Sequence, residues 1–251
     1  MHRVMFYIGP LAVYSYGVSI AAAFCLSAAL LWRDSKRFGV PFDYVLDCLL
    51  WLLVGGLIGG RLLYVVLNFS YYAGHPLEIL ALRDGGMAFQ GGMAASLLAV
   101  LACCRKRKIS FGRLADLIVP YAALGQSIGR IGCFMNGCCY GKVLRKGWGV
   151  MFPGEMCMRF PVQLYSSAGL ALIFLILIYI REKKYFNGAV LMSYLLMYSF
   201  FRFFVEYMRG DNSVIFAGMT MPQFISFAVF VSSAVIFAIM AVKHNNGKTR
   251  V

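Results

Sequence analysis

The chain has 251 residues, of which 61% are hydrophobic and 14% are charged, with a mean hydropathy of +0.74 and a formal net charge of +14. Water-soluble domains are roughly 45–50% apolar and about 25% charged, so this composition excludes the water-soluble class. In a soluble protein such a positive charge would indicate nucleic-acid binding, but the basic residues must first be located along the chain.

Seven apolar windows are long enough to cross a bilayer, whose hydrocarbon core takes about 20 helical residues. They are Leu11–Trp32, Val45–Leu67, Met87–Cys104, Leu114–Gly132, Val162–Ile180, Gly188–Tyr207 and Met221–Val242. Each is predicted to be a helix, because lipid offers the backbone no hydrogen-bond partner and because no window alternates like a barrel strand. The first window lacks the short apolar core and small-residue cleavage site of a signal peptide, so it is predicted to be a permanent span. The sequence therefore predicts an all-α membrane protein, with residues 1–251 forming a single polytopic domain.

The basic residues predict the orientation. Of the 24 lysines and arginines, 14 follow the first, third, fifth or seventh window. These are Arg33, Lys36, Arg37, Arg105, Lys106, Arg107, Lys108, Arg113, Arg181, Lys183, Lys184, Lys243, Lys248 and Arg250. The positive-inside rule makes that side cytoplasmic, which puts the N-terminus outside and the C-terminus in the cytoplasm. The net charge is then mainly a topology signal, and nucleic acid is excluded as a partner.

Three of the remaining basic residues fall within the windows, and all three are arginines: Arg61, Arg130 and Arg202. A charge at membrane depth is costly unless it is paired or faces a water-filled cavity, so each is a candidate functional residue. The guanidinium group is always charged, and its planar fork of donors matches a phosphate. The predicted ligand is the anionic head group of a phospholipid, reached from within the bilayer.

Each arginine also has a structural interpretation. Arg202 lies four residues before Glu206 on one helix face, so the two side chains can neutralise one another. Arg61 follows glycines whose spacing is typical of close helix packing, and Tyr64 lies one turn further on. Arg130 opens a run, Gly129 to Gly141, that contains four glycines and Asn136. That run is predicted to be an anion-cradling loop at the outer membrane face rather than a helix.

Six segments in order carry a family resemblance. They are Ile8-Gly9-Pro10 with Tyr16-Gly17, Gly59-Gly60-Arg61 with Tyr64, Asp84 to Gly92, Gly129 to Gly141, Arg159 to Tyr165, and Gly188-Ala189 with Phe201-Arg202 and Val205-Glu206-Tyr207. They are similar to the motifs of the prolipoprotein diacylglyceryl transferases, and they cover nearly the whole chain.

The resemblance implies a reaction in which the diacylglyceryl group of phosphatidylglycerol moves to the lipobox cysteine thiol in the signal peptide of a bacterial prolipoprotein. A thioether forms and glycerol phosphate leaves, as the first step of lipoprotein maturation. Arg130 and Arg202 match the family's essential arginines and are the expected catalytic residues. The expected substrate-binding or lipid-binding residues are Tyr16, Arg61, Tyr64, Gln90, Asn136, Gly141 and Glu206. No cofactor or metal is implied, and the expected location is the bacterial plasma membrane, with the active site toward its outer face.

The chain departs from the family at Gln90, where many members carry a histidine, because glutamine cannot accept a proton near neutral pH. Three explanations remain open. The arginines alone can depress the pKa of the acceptor thiol. A histidine elsewhere can substitute, although His244 is on the predicted cytoplasmic side. Alternatively, the protein is a slow or altered paralogue with a different donor or acceptor. A non-enzymatic protein that binds or transports phospholipid would use the same arginines.

The cysteines are the second departure. Cys133, Cys138, Cys139 and Cys157 lie in or near the predicted outer loop region, residues 133–160. An oxidising exterior favours a disulfide from Cys157 to Cys138 or Cys139. A zinc site is disfavoured, since C-x₄-C-C is not a usual ligand spacing.

Overall fold

The computed structural model describes residues 4–9, 11–81, 86–144, 149–154, 156–183, 185–210, 214–216 and 218–248. Its helices are α1 (Ser15–Arg37), α2 (Phe42–Leu67), α3 (Phe69–Tyr72), α4 (Phe89–Lys106), α5 (Phe111–Asn136), α6 (Val162–Glu182), α7 (Ala189–Met208) and α8 (Met221–Lys248), with a 3-10 turn over Pro76–Leu80. Its strands form antiparallel pairs, β1 (Val4–Ile8) with β2 (Leu11–Tyr14), β3 (Val150–Met151) with β4 (Met158–Arg159), and β5 (Val214–Phe216) with β6 (Met219–Thr220). The described residues divide into two compact units, one from 1–34 with 115–251 and the other from 35–114.

Each of the seven apolar windows coincides with a long helix. Within the described ranges, five helices are long and apolar enough to cross a membrane, namely α1, α2, α6, α7 and α8. The prediction of a mostly helical membrane protein is therefore confirmed. Helices α4, of 18 residues, and α5, of 26 residues, are not among these five, and Arg105 and Lys106 end α4. The single polytopic domain stays a prediction.

The beginning of the first window was predicted wrongly. Leu11–Tyr14 was expected to be helical, but it forms strand β2, which pairs with β1 through Ile8 and Leu11 next to the turn. Gly9 adopts a φ of +58°, a left-handed conformation that glycine enters without steric cost and that suits a tight hairpin. The helix starts only at Ser15.

Helices α2 and α4 pack closely through glycines in the unit formed by residues 35–114. A Cβ on Gly59 would lie 2.5 Å from the carbonyl oxygen of Gly91, and one on Gly92 would lie 2.9 Å from that of Gly56. The Ser96 hydroxyl donates to the carbonyl of Leu52 at 2.8 Å across the same seam. Small residues let helix backbones approach in lipid, so the packing interpretation of these glycines is confirmed.

Helices α5, α6 and α7 build the core of the other unit. Their buried apolar side chains form one cluster, consisting of Ala123, Ile173, Leu177, Val190 and Tyr194. Polar contacts fix the relative rotation of the helices: the Ser127 hydroxyl donates to the Ser167 carbonyl at 2.8 Å, and the Gln126 amide donates to the Tyr194 hydroxyl at 2.8 Å.

The N-terminus of α7 is held by a side chain from α5. The Asp116 carboxylate accepts the backbone N–H groups of Gly188 at 2.6 Å and Leu191 at 2.8 Å. A carboxylate at a helix N-terminus satisfies N–H groups that have no partner within the helix and also complements the helix dipole. This cap sets the position of α7 along α5, and with it the position of Arg202.

The run that opens with Arg130 is helical as far as Asn136, so its prediction as a loop is wrong. Gly125, Gly129 and Gly132 are spaced as i, i+4 and i+7 and face α1. A Cβ on Gly132 would lie 2.7 Å from the Cβ of Ser19. The glycines therefore serve close packing between α1 and α5, and this packing outweighs their low helix propensity.

Candidate active site

A cleft lies among α5, α6 and α7 in the unit that contains residues 115–251. It is lined by Arg130, Ser166, Leu170, Tyr198, Phe201, Arg202, Val205 and Arg209. Most of the lining comes from one face of α7, because Tyr198, Arg202, Val205 and Arg209 are spaced as i, i+4, i+7 and i+11. The structure thus brings together the two arginines expected to be catalytic.

The cleft is strongly positive. Of the described residues that line it, three are arginines and none is acidic. Glu206, which is 2% exposed, lies behind this lining and forms an ion pair with Arg202. The Thr220 hydroxyl also donates to the Glu206 carboxylate, at 3.2 Å. The i, i+4 pair foreseen from the sequence is therefore present, and it fixes Arg202 at the wall of the cleft.

Arg130 differs from Arg202 because no described carboxylate lies within ion-pair distance of it. Its side chain is partly exposed. A cationic side chain that lines a positive cleft and has no counter-ion among the described residues favours an anionic ligand. The cleft has a volume of about 10 Å³, which is room for about one water molecule. Entry of a phosphate therefore requires a lining side chain to move.

Arg209 is a lining residue that the sequence analysis did not select. The available signal was its position seven residues after Arg202, which is two helical turns along the same face. Its backbone forms an antiparallel bridge with Gly141, and the next residue, Lys142, donates its N–H to the carbonyl of Met208 at 2.9 Å. A Cβ on Gly141 would lie 2.6 Å from the Met208 carbonyl oxygen, so this position requires glycine. Gly141 thus holds the outer segment against the end of α7.

Tyr16 and Asn136 lie outside the lining of the cleft. Tyr16 is at the start of α1, where its ring would lie 3.4 Å from a Cβ on Gly132 of α5. Asn136 is the last residue of α5 and is half-buried. Both residues are near the outer end of α5, and their roles in binding stay predictions.

Arg61, Tyr64 and Gln90 belong to the unit formed by residues 35–114. Arg61 is 6% exposed, and its guanidinium lies 5.3 Å from the centre of the Tyr72 ring. It donates to a series of backbone carbonyls, those of Ile79 at 2.9 Å, Gly86 at 3.0 Å, Glu78 at 2.5 Å and Ala81 at 3.3 Å. These bonds anchor the segment that leads to α4.

Tyr64 lies one turn after Arg61 and packs against the same segment. A Cβ on Gly86 would lie 2.5 Å from the Tyr64 ring, and the φ of Gly86 is +74°, so the segment passes close over the ring only because glycine is there. Gln90, in the first turn of α4, is exposed. The binding roles of Arg61, Tyr64 and Gln90 stay predictions.

The histidines offer no described base within the lining of the cleft. His75 is exposed in the other unit, where its ring stacks on Tyr71 at 5.0 Å. His244 packs beside Phe186 near the end of α8. His2 lies outside the described residues, as do two parts of the resemblance, Pro10 and Asp84-Gly85.

All eight cysteines are described, and each is a free thiol, so the disulfide expected from Cys157 is not formed. Cys157 is exposed, whereas Cys133, Cys138 and Cys139 gather with their Sγ atoms within 4.8 Å of one another. Burial and the neighbouring Cys138 raise the pKa of the Cys139 thiol, and the positive charges of Arg209 and Arg130 act in the opposite direction. The fold therefore brings together three thiols that the sequence spacing alone did not connect.

Comparison with known proteins agrees with the motifs. Residues 3–239 match the family model for prolipoprotein diacylglyceryl transferase. The phosphatidylglycerol–prolipoprotein diacylglyceryl transferase of Geobacter sulfurreducens is 36% identical over 235 residues, which cover 90% of each chain. The enzyme of the same name from Limosilactobacillus reuteri is 34% identical over 259 residues, covering 98% of this chain and 93% of that protein. That from Finegoldia magna is 33% identical over 237 residues, 94% of each chain. The predicted resemblance is thus confirmed, and the chain belongs to the prolipoprotein diacylglyceryl transferase family.

Proposed function

We propose that this protein transfers the diacylglyceryl group of phosphatidylglycerol to a cysteine thiol of a prolipoprotein. One observation supports the assignment of this chemistry to a place in the molecule: Arg130 and Arg202 line the same cleft, and no described acidic residue lines it with them. The acceptor is the lipobox cysteine of the signal peptide, and the products are a thioether and glycerol phosphate.

The arginines act on the leaving group. The sulfur displaces the phosphate ester at the glyceryl carbon, and negative charge accumulates on the departing phosphate oxygen. Arg130, which has no described carboxylate partner, binds this phosphate by its fork of donors, and Arg202 is held in place for the same task by Glu206. Preorganised charges in a site that excludes bulk water are typically the largest catalytic contribution, and one donor is commonly worth ~10²–10³ in rate.

The lipid enters from the bilayer. The cleft has room for about one water molecule, so head-group binding requires a side chain to swing, and the proposed side chain is Arg130, which has no described carboxylate partner. Asn136 orients the head group or holds the outer segment, and Tyr16 lies on the side of α5 that faces α1. Phe201 and Leu170 provide the apolar wall against which the glyceryl carbons rest.

The proposed location of this chemistry is the outer face of the bacterial plasma membrane, in a topology of seven crossings. In that topology α4 and α5 span the membrane together with the five candidate spans α1, α2, α6, α7 and α8, with the N-terminus outside and the C-terminus in the cytoplasm. The support is the distribution of 14 of the 24 basic residues on one side of such a topology. Cysteine accessibility scanning from each side of the membrane, with Cys157 as the outer reporter, tests this orientation.

The test of function is one incubation of the purified full-length protein with phosphatidylglycerol vesicles and a lipobox peptide. We expect the peptide cysteine to gain the mass of one diacylglyceryl group. A peptide with serine in place of the cysteine is the matched control and should gain nothing. Arg107→Ala serves as a control variant, since Arg107 pairs with Asp47 in the other unit.

The alternatives predict different results from the same incubation. Lipid movement between vesicle leaflets without any peptide modification would identify a transport protein and contradict the proposal. Modification of the peptide by another lipid, with phosphatidylglycerol inert, would identify a paralogue with a different donor.

A further inference from the structure

Three thiols converge beside the cleft. Cys133 lies in the last turn of α5, and Cys138 and Cys139 follow the helix directly. All three are half-buried, and their Sγ atoms lie within 4.8 Å of one another. Cysteine thiolates are the preferred ligands of soft metal ions.

Helix termination explains why a C-x₄-C-C spacing brings these residues together. Gly137 ends α5 with a φ of +71°. The N–H of Cys138 donates to the carbonyl of Cys133 at 3.2 Å, and that of Gly137 donates to Phe134 at 3.1 Å. This pair of bonds is the Schellman motif, which folds the chain back so that the second residue past the helix contacts the residue five positions earlier.

The Schellman motif accounts for two of the thiols but not for the third. Contact between Cys133 and Cys138 is the side-chain contact that normally accompanies the motif. Cys139 is different: it adopts a φ of +62°, a left-handed conformation that residues other than glycine rarely enter. Residues held in such conformations cost free energy and cluster at active sites and ligand clamps, so the backbone of Cys139 favours a role in binding a ligand.

The loop that carries the thiols is firmly held. The Gln163 side chain, 1% exposed, donates to the carbonyl of Cys138 at 2.7 Å. The rings of Phe134 and Tyr140 both pack on Phe152, which is 1% exposed. The thiol positions are therefore set by the protein, which lowers the cost of ordering a metal site.

The geometry is close to that of zinc bound by three cysteines. With Zn–S bonds near 2.3 Å, tetrahedral ligands lie about 3.8 Å apart, so each sulfur needs to move by at most about 0.6 Å from the observed arrangement. Three protein ligands leave the fourth position open, which is the pattern of catalytic rather than structural zinc.

The cluster adjoins the arginines. Cys133 lies one turn after Arg130 on the same face of α5, and Cys139 interacts electrostatically with both Arg130 and Arg209. Two residues that line the cleft are therefore close to the thiols. None of the described residues that line the cleft is a base that could accept a thiol proton at neutral pH.

We propose that Cys133, Cys138 and Cys139 bind a zinc ion whose fourth position takes the acceptor cysteine as a thiolate. This inference rests on the proposed function. Zinc displaces the three ligand protons when it binds, and the guanidinium groups of Arg130 and Arg209 balance the negative charge of the complex. A zinc-bound thiol is deprotonated outright, whereas neighbouring arginines only lower the pKa of a thiol, so the ion supplies the stronger activation.

The step balances without a redox change. The acceptor thiol releases its proton to water as its sulfur binds zinc. That sulfur then forms the C–S bond at the glyceryl carbon, and the electron pair of the breaking C–O bond leaves with glycerol phosphate. The neutral thioether is a poor ligand and dissociates, and zinc remains Zn²⁺ throughout.

Metal content tests the site itself. The full-length protein, purified in detergent after exposure to Zn²⁺, should contain one zinc per chain by elemental mass spectrometry. Cys139→Gly should lose at least nine-tenths of it while folding normally, because glycine accepts the positive φ. A Cys25→Ser/Cys157→Ser variant is the matched control and should retain the ion.

Three results would overturn the site. In the first, Cys139→Gly retains zinc, which means that the binding is adventitious. In the second, zinc is lost only when Cys48 and Cys103, whose sulfurs are 3.3 Å apart, are changed to serine. In the third, the metal-free protein contains a Cys133–Cys138 disulfide.

Binding of the acceptor thiolate at the fourth position of the zinc site is tested by a separate measurement. In protein loaded with Co²⁺ in place of zinc, a lipobox peptide should strengthen the thiolate-to-metal charge-transfer absorption, and its serine analogue should not. Removing zinc should slow diacylglyceryl transfer by at least ~10²-fold, the usual contribution of activating a nucleophile. Equal transfer by zinc-free protein would overturn the inference and leave the transferase intact, whereas zinc binding without any transfer would contradict the proposed function instead.

Discussion

Two arginine–carboxylate pairs with different surroundings lie among the described residues of the unit formed by 1–34 and 115–251. Arg181 pairs with Asp34, its side chain is 5% exposed, and Tyr121 donates to the same carboxylate while its ring lies 5.4 Å below the guanidinium. Arg202 pairs with Glu206, but its side chain is 19% exposed and lines a cleft with two further arginines.

The difference shows why an arginine buried among apolar helices is not in itself a catalytic residue. The Arg181 pair joins α1 to α6, and the Tyr121 ring covers the guanidinium. Its charge is neutralised by Asp34, and the pair serves to hold the two helices together. The Arg202 pair lies within one helix, and the cleft beside it keeps the positive charges of Arg130 and Arg209. An excess of positive charge around an opening, rather than a buried arginine alone, is the feature that predicts an anion site.

The largest effect that separates the two regions is on stability. Arg181→Ala leaves the Asp34 carboxylate buried without its cation, and should lower the free energy of unfolding by about 3–5 kcal/mol. The transfer rate per folded molecule should stay within twofold of wild type. Thermal unfolding in detergent together with the peptide assay measures both quantities, and a loss of rate without a loss of stability would reverse the roles given to the two pairs.

The next effect is on catalysis. Arg130→Ala and Arg130→Lys should both reduce the transfer rate by at least ~10²–10³, because a lysine point charge lacks the bidentate fork. The unfolding temperature should hardly change, since Arg130 has no carboxylate partner among the described residues. The lysine variant is the more specific test, because it keeps the positive charge and removes only the fork of donors. If it keeps most of the activity, Arg130 does not bind the phosphate in a bidentate manner.

A smaller effect is expected from the partner of Arg202. Glu206→Gln keeps the shape of the side chain but removes the charge that positions Arg202, and should lower kcat about tenfold, which corresponds to about 1.4 kcal/mol for the lost ion pair. Glu206→Asp, which restores the charge with a shorter reach, should recover part of that loss. If Glu206→Gln lowers stability as much as Arg181→Ala does, the Arg202 pair is structural after all.

The smallest expected effect is the stabilisation of the folded protein by binding of the product glycerol phosphate. At three times its dissociation constant, glycerol phosphate should stabilise wild-type protein by about 0.8 kcal/mol, seen as a rise of a few degrees in the unfolding temperature. Arg130→Ala should lose this stabilisation, whereas Arg181→Ala should keep it. Equal stabilisation of the two variants would remove the assignment of phosphate to the cleft.

The correct predictions came from patterns of neighbouring residues in the sequence. The seven apolar windows coincide with helices because length and hydropathy are properties of consecutive residues. The pairing of Arg202 with Glu206 follows from i, i+4 spacing, and the packing role of Gly59 follows from glycines repeated at helical spacing. Each of these predictions was drawn from a pattern within one helix, so the sequence carries the information.

The errors share a physical origin. Gly129 and Gly132 were interpreted as loop-forming, but their contact with α1 makes them helix-packing residues. Cys138 was expected to pair with Cys157, but the Schellman turn at Gly137 directs it toward Cys133. In both cases a local preference was right about what the residue favours by itself and wrong about what its neighbours require.

The sequence by itself determined that this chain is a helical membrane protein of a recognisable family with arginines within apolar segments, because hydropathy, charge and motif order are linear properties. Only the tertiary structure decided which arginines face a shared cleft, which are neutralised, and that three thiols meet beside Arg130. Those facts depend on which faces of α5, α6 and α7 oppose one another and on how α5 ends. Such arrangements are set by packing between distant residues, which one-dimensional spacing does not encode.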